Sequence, residues 1–318
     1  MSEKKILVVF GATGNQGGSV INSILKDPKT ANEFKIRGIT RDPSKPNAKA
    51  LEARGVECVA GDIDDKESIK HAFHGAYAVF AVTNYWEKMD SELEYNQGKS
   101  IADLAKETGI QHLIWSSLLN INTLSHGKYP NVYHFDSKAS VEAYIRAQSI
   151  PATFFLPGFY MSNIPGQILR PSPPENTFTL TMPAPESTTV PLFDAANDTG
   201  KFVKGILTHR EQVLGKQIYA ATDYYTWTDV LNTFKEVKPE AGKNAKFLQI
   251  TKEQYKAALA GMGMPPKAQE ELYENMAFMH EFGYYGKAGL EESHAILDEK
   301  PTSLKEFFET AKAFEGVN

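Results

Sequence analysis

The chain has 318 residues, of which 42% are hydrophobic and 23% charged, and its formal net charge is -5. This composition is typical of a folded globular protein and argues against disorder. No block of lysine and arginine occurs, which argues against direct binding to nucleic acid. The single cysteine, Cys58, excludes an internal disulfide, and no apolar run reaches membrane-spanning length, so we expect a soluble, intracellular protein.

The first predicted elements are a buried strand, a glycine-rich turn and a helix. Ile6–Phe10 is an apolar run, and directly after it comes Gly11-Ala12-Thr13-Gly14-Asn15-Gln16-Gly17. Apolar residues then recur with helical spacing from Gly17 to Leu25. Glycines let the backbone approach phosphate oxygens, and a helix N-terminus attracts negative charge, so this stretch suits the pyrophosphate of a dinucleotide. Because the spacing is GxxGxxG rather than GxGxxG, an ordinary glycine-rich turn stays open as the alternative.

The second predicted strand, Lys35–Thr40, is followed directly by Arg41. An arginine at this place suits the 2′-phosphate of NADP(H), whereas NAD(H) usually meets a carboxylate that binds the ribose hydroxyl. Lys45 on the same loop can add a second positive charge. Two alternatives stay open: a rotated loop could present Asp42 instead, and both basic residues could be ordinary solvated charges. The sequence favours NADP(H) as the cofactor.

Strands and helices alternate through the first half of the chain. Further strands are predicted at Val56–Ala60, Ala76–Val82, His112–Ser116 and Ala152–Leu156. Helical patterns lie between the strands at Gly17–Leu25, Asn47–Ala53, Lys66–Phe73, Glu92–Thr108 and Lys138–Gln148. This order predicts an α/β fold, a Rossmann doubly wound parallel sheet with helices on both faces. Ligands of such sheets bind beyond the carboxyl ends of the strands, which places Asp62 near the adenine and Thr83-Asn84-Tyr85 near the nicotinamide.

Beyond Leu156 the pattern becomes irregular. The segment Pro165–Pro191 contains seven prolines, among them Pro171, Pro173, Pro174, Pro183 and Pro185, and we expect it to form a flap or a flexible connection. One more strand is predicted at Ile218–Thr222, returning to the sheet, then a helix at Trp227–Val237 and mostly helical structure from Thr251. The predicted organisation is an NADP(H)-binding Rossmann domain over residues 1–158 and a smaller, mostly helical C-terminal subdomain over residues 159–318.

Six short strings along the chain point to one family. They are the glycine turn, Thr40-Arg41, Gly61-Asp62, Val82-Thr83-Asn84-Tyr85-Trp86, Gln97-Gly98-Lys99 and His134-Phe135-Asp136-Ser137-Lys138. Together they resemble the NmrA-like family, an atypical branch of the short-chain dehydrogenase/reductases, and most of all its NADPH-sensor members. The resemblance runs nearly end to end and implies a Rossmann domain, NADP(H) and a smaller C-terminal subdomain.

Carried over position by position, the resemblance implies a set of cofactor contacts. They fall on Gly11, Ala12, Thr13, Gly14, Asn15 and Gln16, on Arg41, Asp42, Pro43, Ser44 and Lys45, on Asp62, Ile63, Thr83, Asn84, Tyr85 and Lys138, and on Tyr160, Met161, Ser162 and Asn163. A lysine that contacts the cofactor in the family is matched by Asn96, which places that one contact in doubt.

Catalysis is less clear from the sequence. Short-chain reductases usually donate a proton from a tyrosine four residues before a lysine. Here His134 stands four residues before Lys138. Tyr133 is one residue further away, and on a helix that difference turns its side chain by about 100°. His134 could be a general acid or could only hold a loop or the lysine in place. Lys138 is expected at a helix start, bonding the nicotinamide ribose. Ser116 and Ser117 stand where the family's carbonyl-orienting serine belongs, or cap a turn. The candidates for catalysis are Lys138, His134 and Ser116.

Two functions from different classes remain. The first is a redox sensor, in which NADP(H) occupancy orders the flap and the C-terminal subdomain and changes affinity for a regulatory protein partner. The second is an NADPH-dependent oxidoreductase that reduces a small carbonyl, imine or enone substrate. The missing tyrosine and the resemblance to sensors favour the first. We expect no metal, a cytoplasmic location with the nucleus as a second compartment, and no membrane association; the sequence does not predict the oligomeric state.

Overall fold

The computed structural model describes residues 3–172 and 177–317. In chain order, its strands are β1 (Lys5–Val9), β2 (Phe34–Thr40), β3 (Glu57–Ala60), β4 (Ala76–Ala81), β5 (His112–Ser116), β6 (Ala152–Pro157), β7 (Phe159–Tyr160), β8 (Leu169–Ser172), β9 (Thr177–Met182), β10 (Thr189–Phe193), β11 (Gln217–Ala220), β12 (Asp223–Thr226) and β13 (Lys246–Gln249). Seven of them form one parallel sheet in the order β11-β6-β5-β4-β1-β2-β3.

Helices connect the strands and cover both faces of the sheet. In chain order they are α1 (Asn15–Lys26), α2 (Pro28–Glu33), α3 (Pro46–Glu52), α4 (Lys66–Phe73), α5 (Ser91–Glu107), α6 (Ile121–Leu124), α7 (Tyr133–Ala147), α8 (Ala195–Thr208), α9 (Arg210–Val213), α10 (Trp227–Val237), α11 (Pro239–Gly242), α12 (Lys252–Gly261), α13 (Pro266–Phe282), α14 (Glu291–His294) and α15 (Leu304–Thr310). Within the described ranges, none of these helices is long and apolar enough to cross a membrane.

The central sheet confirms the predicted Rossmann fold. β1 lies between β2 and β4, with Val9 opposite Gly38 on one side and Phe80 on the other, so the strand order reverses at β1. β11 pairs with β6 in parallel, as predicted. The strands are apolar because both faces are covered, by α1 and α8 on one side and by α5 and α7 on the other. This reversal places the ends of β1 and β4 on either side of one crevice.

One helix start was predicted wrongly, and it changes the position of a candidate residue. α7 begins at Tyr133, so Lys138 lies in the second turn of the helix and not at its start. The first turn carries no apolar stripe, and its N-cap residue, Val132, makes no side-chain cap, so the usual start signals are missing. A distant residue supplies the missing bond, because the backbone N–H of His134 donates to the Glu271 carboxylate at 2.7 Å.

The second half of the chain is more mixed than the predicted, mostly helical subdomain. It contains two further three-stranded sheets, β12-β10-β7 and β13-β9-β8. The predicted irregular flap instead forms β8 and β9, an antiparallel pair, and then β10. Pro171 is tolerated because β8 is an edge strand. Pro173 and Pro174 lie outside the described residues. The second half also completes the Rossmann unit, since α8 packs on α1, with the Gly200 N–H donating to Ser19 Oγ at 3.0 Å.

Candidate functional site

The glycine turn between β1 and α1 forms an open helix N-terminus. Gly11 has a φ of +59°, a left-handed conformation that favours glycine. Gly14 is the N-cap of α1, and no side chain caps the helix there. At Gly17 a Cβ atom would lie 2.3 Å from the Gly11 carbonyl oxygen, so only glycine lets the helix approach the turn this closely. The uncapped N–H groups and this close approach fit a dinucleotide pyrophosphate.

The loop after β2 holds the predicted phosphate-binding charges. Arg41 leaves 71% of its side chain exposed, and its Nη1 donates to Glu87 Oε1 at 2.9 Å. The Asp42 carboxylate instead accepts bonds within its own loop, from the Ser44 hydroxyl at 2.6 Å and the Ser44 N–H at 2.9 Å. These bonds lower the pKa of Asp42. The loop therefore presents the arginine, which agrees with a 2′-phosphate partner.

A cavity of about 850 Å³ begins at the glycine turn, passes the ends of β4 and β5, and ends between β9, α12 and α13. Of the predicted site residues, those lining it are Gly11, Gly14, Asn15, Gln16, Gly17, Thr83, Asn84, Tyr85, Ser116, His134, Lys138, Tyr160 and Asn163. The others are not part of its lining: Ala12, Thr13, Arg41, Asp42, Pro43, Ser44, Lys45, Asp62, Ile63, Met161 and Ser162. Among these, Met161 is fully buried in the core, whereas Asp62 is exposed.

Ser116 is bonded inside the protein. Its hydroxyl donates to Gln16 Oε1 at 3.0 Å, and Gln16 Nε2 in turn donates to the Tyr160 hydroxyl at 2.5 Å. The proton that a carbonyl-orienting serine would share is thus directed at Gln16. Ser117 lies on the other side of the strand, with its hydroxyl donating to Glu142 Oε2 at 2.7 Å. The bonded side chains of Ser116, Gln16 and Tyr160 join the glycine turn to the ends of β5 and β7.

Lys138 forms a buried ion pair that the sequence analysis missed. Its ammonium donates to the Glu94 carboxylate, to Thr83 Oγ1 at 3.0 Å and to the Thr83 carbonyl at 3.3 Å. Glu94, which is 2% exposed, also accepts bonds from the hydroxyls of Thr83 and Ser137. Burial lowers the pKa of Lys138, and the negative charge of Glu94 opposes that shift. Since an ammonium has three protons, all three have acceptors within the protein.

His134 is held by a second buried carboxylate. Glu271, on α13, is fully buried, and its Oε1 lies 2.7 Å from His134 Nδ1 and 2.7 Å from the His134 backbone nitrogen. The Tyr85 hydroxyl donates to the other carboxylate oxygen at 2.8 Å. Burial and this carboxylate raise the pKa of Tyr85, which keeps its proton. Tyr133, as expected, does not line the cavity; its hydroxyl donates to Asn131 Oδ1 at 2.8 Å.

The sequence did contain a signal for these missed residues. Ala268, Glu271, Asn275 and Phe278 recur at helical spacing on α13, and all four are buried, so two polar residues interrupt an apolar stripe. On α5, Glu94 occupies the same buried stripe as Gly98 and Ile101. A polar residue on a buried helix face needs a partner, which marks these positions. Within residues 3–172 and 177–317, no group of three His, Cys, Asp or Glu side chains could hold a metal ion.

Comparison with known proteins identifies the family of this chain. The model of the NmrA-like family matches residues 3–308. The NmrA-like family domain-containing oxidoreductase cpsB of Aspergillus campestris is 29% identical over 305 residues, which cover 90% of this chain and 86% of that protein. NmrA, a negative transcriptional regulator solved in complex with NADP, superposes with a TM-score of 0.81 at 22% identity, over 99% of this chain and 97% of that one.

A second solved neighbour is the triphenylmethane reductase of Citrobacter sp., complexed with NADP(H). It superposes with a TM-score of 0.77 at 24% identity, over 96% of this chain and 100% of that one. Both structures share the fold, and the cofactor that each contains agrees with the NADP(H) predicted from the sequence. The family match spans both halves of the chain. The resemblance seen in the short strings is thus confirmed, and the chain belongs to the NmrA-like family.

Proposed function

We propose that this protein is an NADPH-dependent oxidoreductase that reduces a carbonyl, imine or enone. The observation that carries this proposal is the buried His134–Glu271 pair, whose imidazole lines a cavity large enough for a substrate beside the cofactor site. The relative in Aspergillus campestris is itself named an oxidoreductase, which supports the proposal. The sequence alone favours a sensor, because the usual tyrosine is absent and nothing in the sequence indicates that Glu271 is the partner of His134.

The residues present fit NADP(H). The N–H groups at the start of α1 would hold the pyrophosphate, and Arg41 with Lys45 would hold the 2′-phosphate. Asn84, Tyr160 and Asn163 line the part of the cavity expected to take the nicotinamide half. When bound, NADPH supplies a hydride to the substrate carbon.

His134 would supply the proton that completes the reduction. Glu271 is an acceptor when ionised, so it holds the Nδ1 proton, and in the imidazolium form Nε2 carries the second proton, which can pass to the substrate. With a carbonyl or imine, the Nε2 proton would pass to the oxygen or nitrogen while the carbon accepts the hydride, which gives an alcohol or an amine. With an enone, the hydride would add to the β-carbon and the proton to the α-carbon, which gives a saturated carbonyl. The imidazole then regains a proton from water, since 13% of the side chain is accessible.

Lys138 would act by positioning. Its bonds to the Thr83 hydroxyl and carbonyl fix the end of β4, where Asn84 and Tyr85 enter the cavity. A direct bond to the nicotinamide ribose, as the resemblance implies, would require the ammonium to exchange one of its three present acceptors. Ser116 would likewise set the orientation of Gln16 at the start of α1.

A redox sensor is the second candidate, and one contact favours it. The Tyr85–Glu271 bond joins the loop after β4 to helix α13 of the C-terminal half, so a cofactor that moves Tyr85 would also bias α13. The same contact would serve the oxidoreductase by closing the site. The two functions differ in whether cofactor is consumed.

A panel of quinones, imines and enones with purified protein and NADPH separates the two functions. We expect cofactor oxidation with at least one substrate class, followed by absorbance at 340 nm, and a loss of 10²–10⁴-fold in kcat for His134→Phe. The matched control is His71→Phe, at an exposed position on α4, which keeps full activity. No oxidation with any compound, together with protection of residues 165–191 from protease by NADPH, would establish the sensor instead.

A further inference from the structure

The distal chamber is the end of the cavity lined by Tyr255, Leu259, Met262, Met264, Asn275 and Met276. We propose that it binds a flat, neutral or anionic aromatic acceptor and that the Asn275 side chain donates a hydrogen bond to the acceptor's carbonyl or imine group. This inference deepens the proposed function, on which it rests, by assigning the class of substrate. None of these six residues belongs to the cofactor site predicted from the sequence.

The walls of the distal chamber are apolar and adaptable. They come from α12, the turn after it and α13, and Met182 of β9 faces the same cavity. Methionine side chains are unbranched and polarisable, so they adjust to flat aromatic ligands and make favourable contacts with ring edges. Such a lining takes up ligands by apolar burial and needs few polar groups to orient them.

Asn275 is the exception in this lining. It is 4% exposed, and its Nδ2 atom is buried with no hydrogen-bond partner among the described residues. A buried amide without a partner destabilises a protein, and natural structures keep few such groups. Asn275 lines the cavity while Nδ2 itself is enclosed, so a ligand acceptor supplies the missing partner once rotation of the amide turns Nδ2 toward the cavity. His134, on the same cavity, would then act on the double bond that the amide holds.

The charges around the cavity restrict the ligand further. Arg170, which is exposed, adds a positive charge to its lining, the charge of Lys138 is balanced by the buried Glu94, and no Asp or Glu of the described ranges lines it. A cationic ligand would lose its hydration without gaining a carboxylate partner, which is unfavourable in a partly buried site. A neutral or anionic ligand meets no such cost. The chamber therefore selects against cationic dyes of the same size.

Prodan, a neutral naphthalene ketone whose emission moves to longer wavelength when its carbonyl accepts a hydrogen bond, is a direct probe. We expect it to bind the full chain saturated with NADP⁺, where no turnover occurs. Asn275→Leu keeps a side chain branched at Cγ and removes the amide, so we expect roughly fivefold weaker prodan binding, emission at shorter wavelength, and a Tm higher by about 2 °C. Asn232→Leu, on the exposed face of α10, is the matched control and leaves prodan binding unchanged.

If the role of Asn275 is purely structural, Asn275→Leu has a lower Tm or fails to fold, or it binds prodan as tightly as the native protein. Any of these results overturns the inference. Thioflavin T, a cationic aromatic probe of similar size, should bind at least tenfold more weakly than prodan, and equal binding would overturn the charge assignment. Because both probes are read by binding, a protein that holds prodan through Asn275 but oxidises no NADPH contradicts the proposed function alone.

Discussion

The cofactor turn and the distal chamber are two ends of one cavity, and they are built in opposite ways. The turn is a single stretch, residues 11–17, whose backbone N–H groups and glycines form the binding surface. The chamber is assembled from side chains of α12 and α13, far along the chain. Backbone binding depends on a local fold and tolerates few changes, whereas a side-chain lining can change its ligand without changing the fold. In the proposed function, the first end would therefore fix the cofactor and the second would select what reacts with it.

The proposed proton donor lies where the two ends meet. His134 and Tyr85 belong to the Rossmann half, and both bond to Glu271 of α13. The proposed acid is thus oriented by the half of the molecule that also builds the chamber. This arrangement would couple the proposed proton donor to the proposed substrate site, whereas the cofactor turn makes no bond to Glu271.

The largest expected effect tests whether the turn depends on its backbone. In Gly17→Ala the new Cβ would lie 2.3 Å from the Gly11 carbonyl oxygen and 2.4 Å from that of Phe10, so helix and strand must separate. We expect a loss of about 3 kcal/mol in the free energy of unfolding and a large loss of NADPH affinity, by urea denaturation and calorimetry. Gly18→Ala is the control, because its nearest neighbour lies 3.7 Å away, and it should stabilise the helix. Near-normal NADPH affinity in Gly17→Ala would show that close approach is not needed.

The next effect tests the link between the two halves. Glu271→Gln keeps the shape but removes the charge that fixes the His134 imidazole, so we expect kcat to fall about 100-fold, or about 2.7 kcal/mol, with KM little changed. The matched control is Glu274→Gln one turn along α13, where the carboxylate accepts from the Asn131 N–H at 2.8 Å and not from the histidine. It should lower stability and leave kcat intact. Equal kcat in the two variants would mean that Glu271 is only structural.

The turn was predictable from the sequence because its determinants are contiguous. The apolar run of β1 and the glycines are consecutive, Arg41 directly follows β2, and the parallel topology brings the ends of both strands to one edge of the sheet. The same local reasoning placed β11 in the sheet.

The partners of His134 and Lys138 were missed for the opposite reason. Glu271 lies 137 residues from His134, and Glu94 lies 44 residues from Lys138. Each stands in an ordinary amphipathic helix, where a carboxylate is most often solvated. Only the helix register shows that these two carboxylates face inward, and their partners lie too far along the chain for a local pattern to identify them. The start of α7 was predicted too late for the same reason, because the backbone N–H of His134 in its first turn donates to the distant Glu271.

Arg41 tests whether the turn also fixes which nicotinamide cofactor is bound. Arg41→Asp replaces the guanidinium by a charge that repels the 2′-phosphate, so we expect NADPH to bind roughly 30-fold more weakly, about 2 kcal/mol, while NADH changes little. Arg54→Asp, at an exposed turn after α3, is the control for net charge. Calorimetry with both cofactors measures the ratio. Equal losses for NADPH and NADH would refute the 2′-phosphate assignment.

The smallest effect compares Asn275 with another unpartnered buried atom, His112 Nδ1 in β5. The Thr153 hydroxyl donates to the Val213 carbonyl, so it accepts from His112 Nε2 at 2.8 Å and leaves Nδ1 without a proton. His112 does not line the cavity, so no ligand can satisfy it and its effect should appear only in stability. Burial lowers the pKa of His112 to about 3, whereas the unfolded chain binds the proton near pH 6.5.

The unfolded state therefore gains protons first as the pH falls, and this contribution to stability is lost from pH 6.5 toward pH 3. Between pH 7 and pH 5.5 we expect His112 to account for a loss of about 1.3 kcal/mol. Urea denaturation at the two pH values should show that loss in the native protein and in the exposed control His71→Gln, but not in His112→Gln, which keeps a donor for Thr153. A pH dependence unchanged in His112→Gln would mean that the imidazole reaches a proton acceptor or solvent in the folded state. It would also weaken the reading of Asn275, because the two inferences share the premise that an unpartnered buried atom has an energetic consequence.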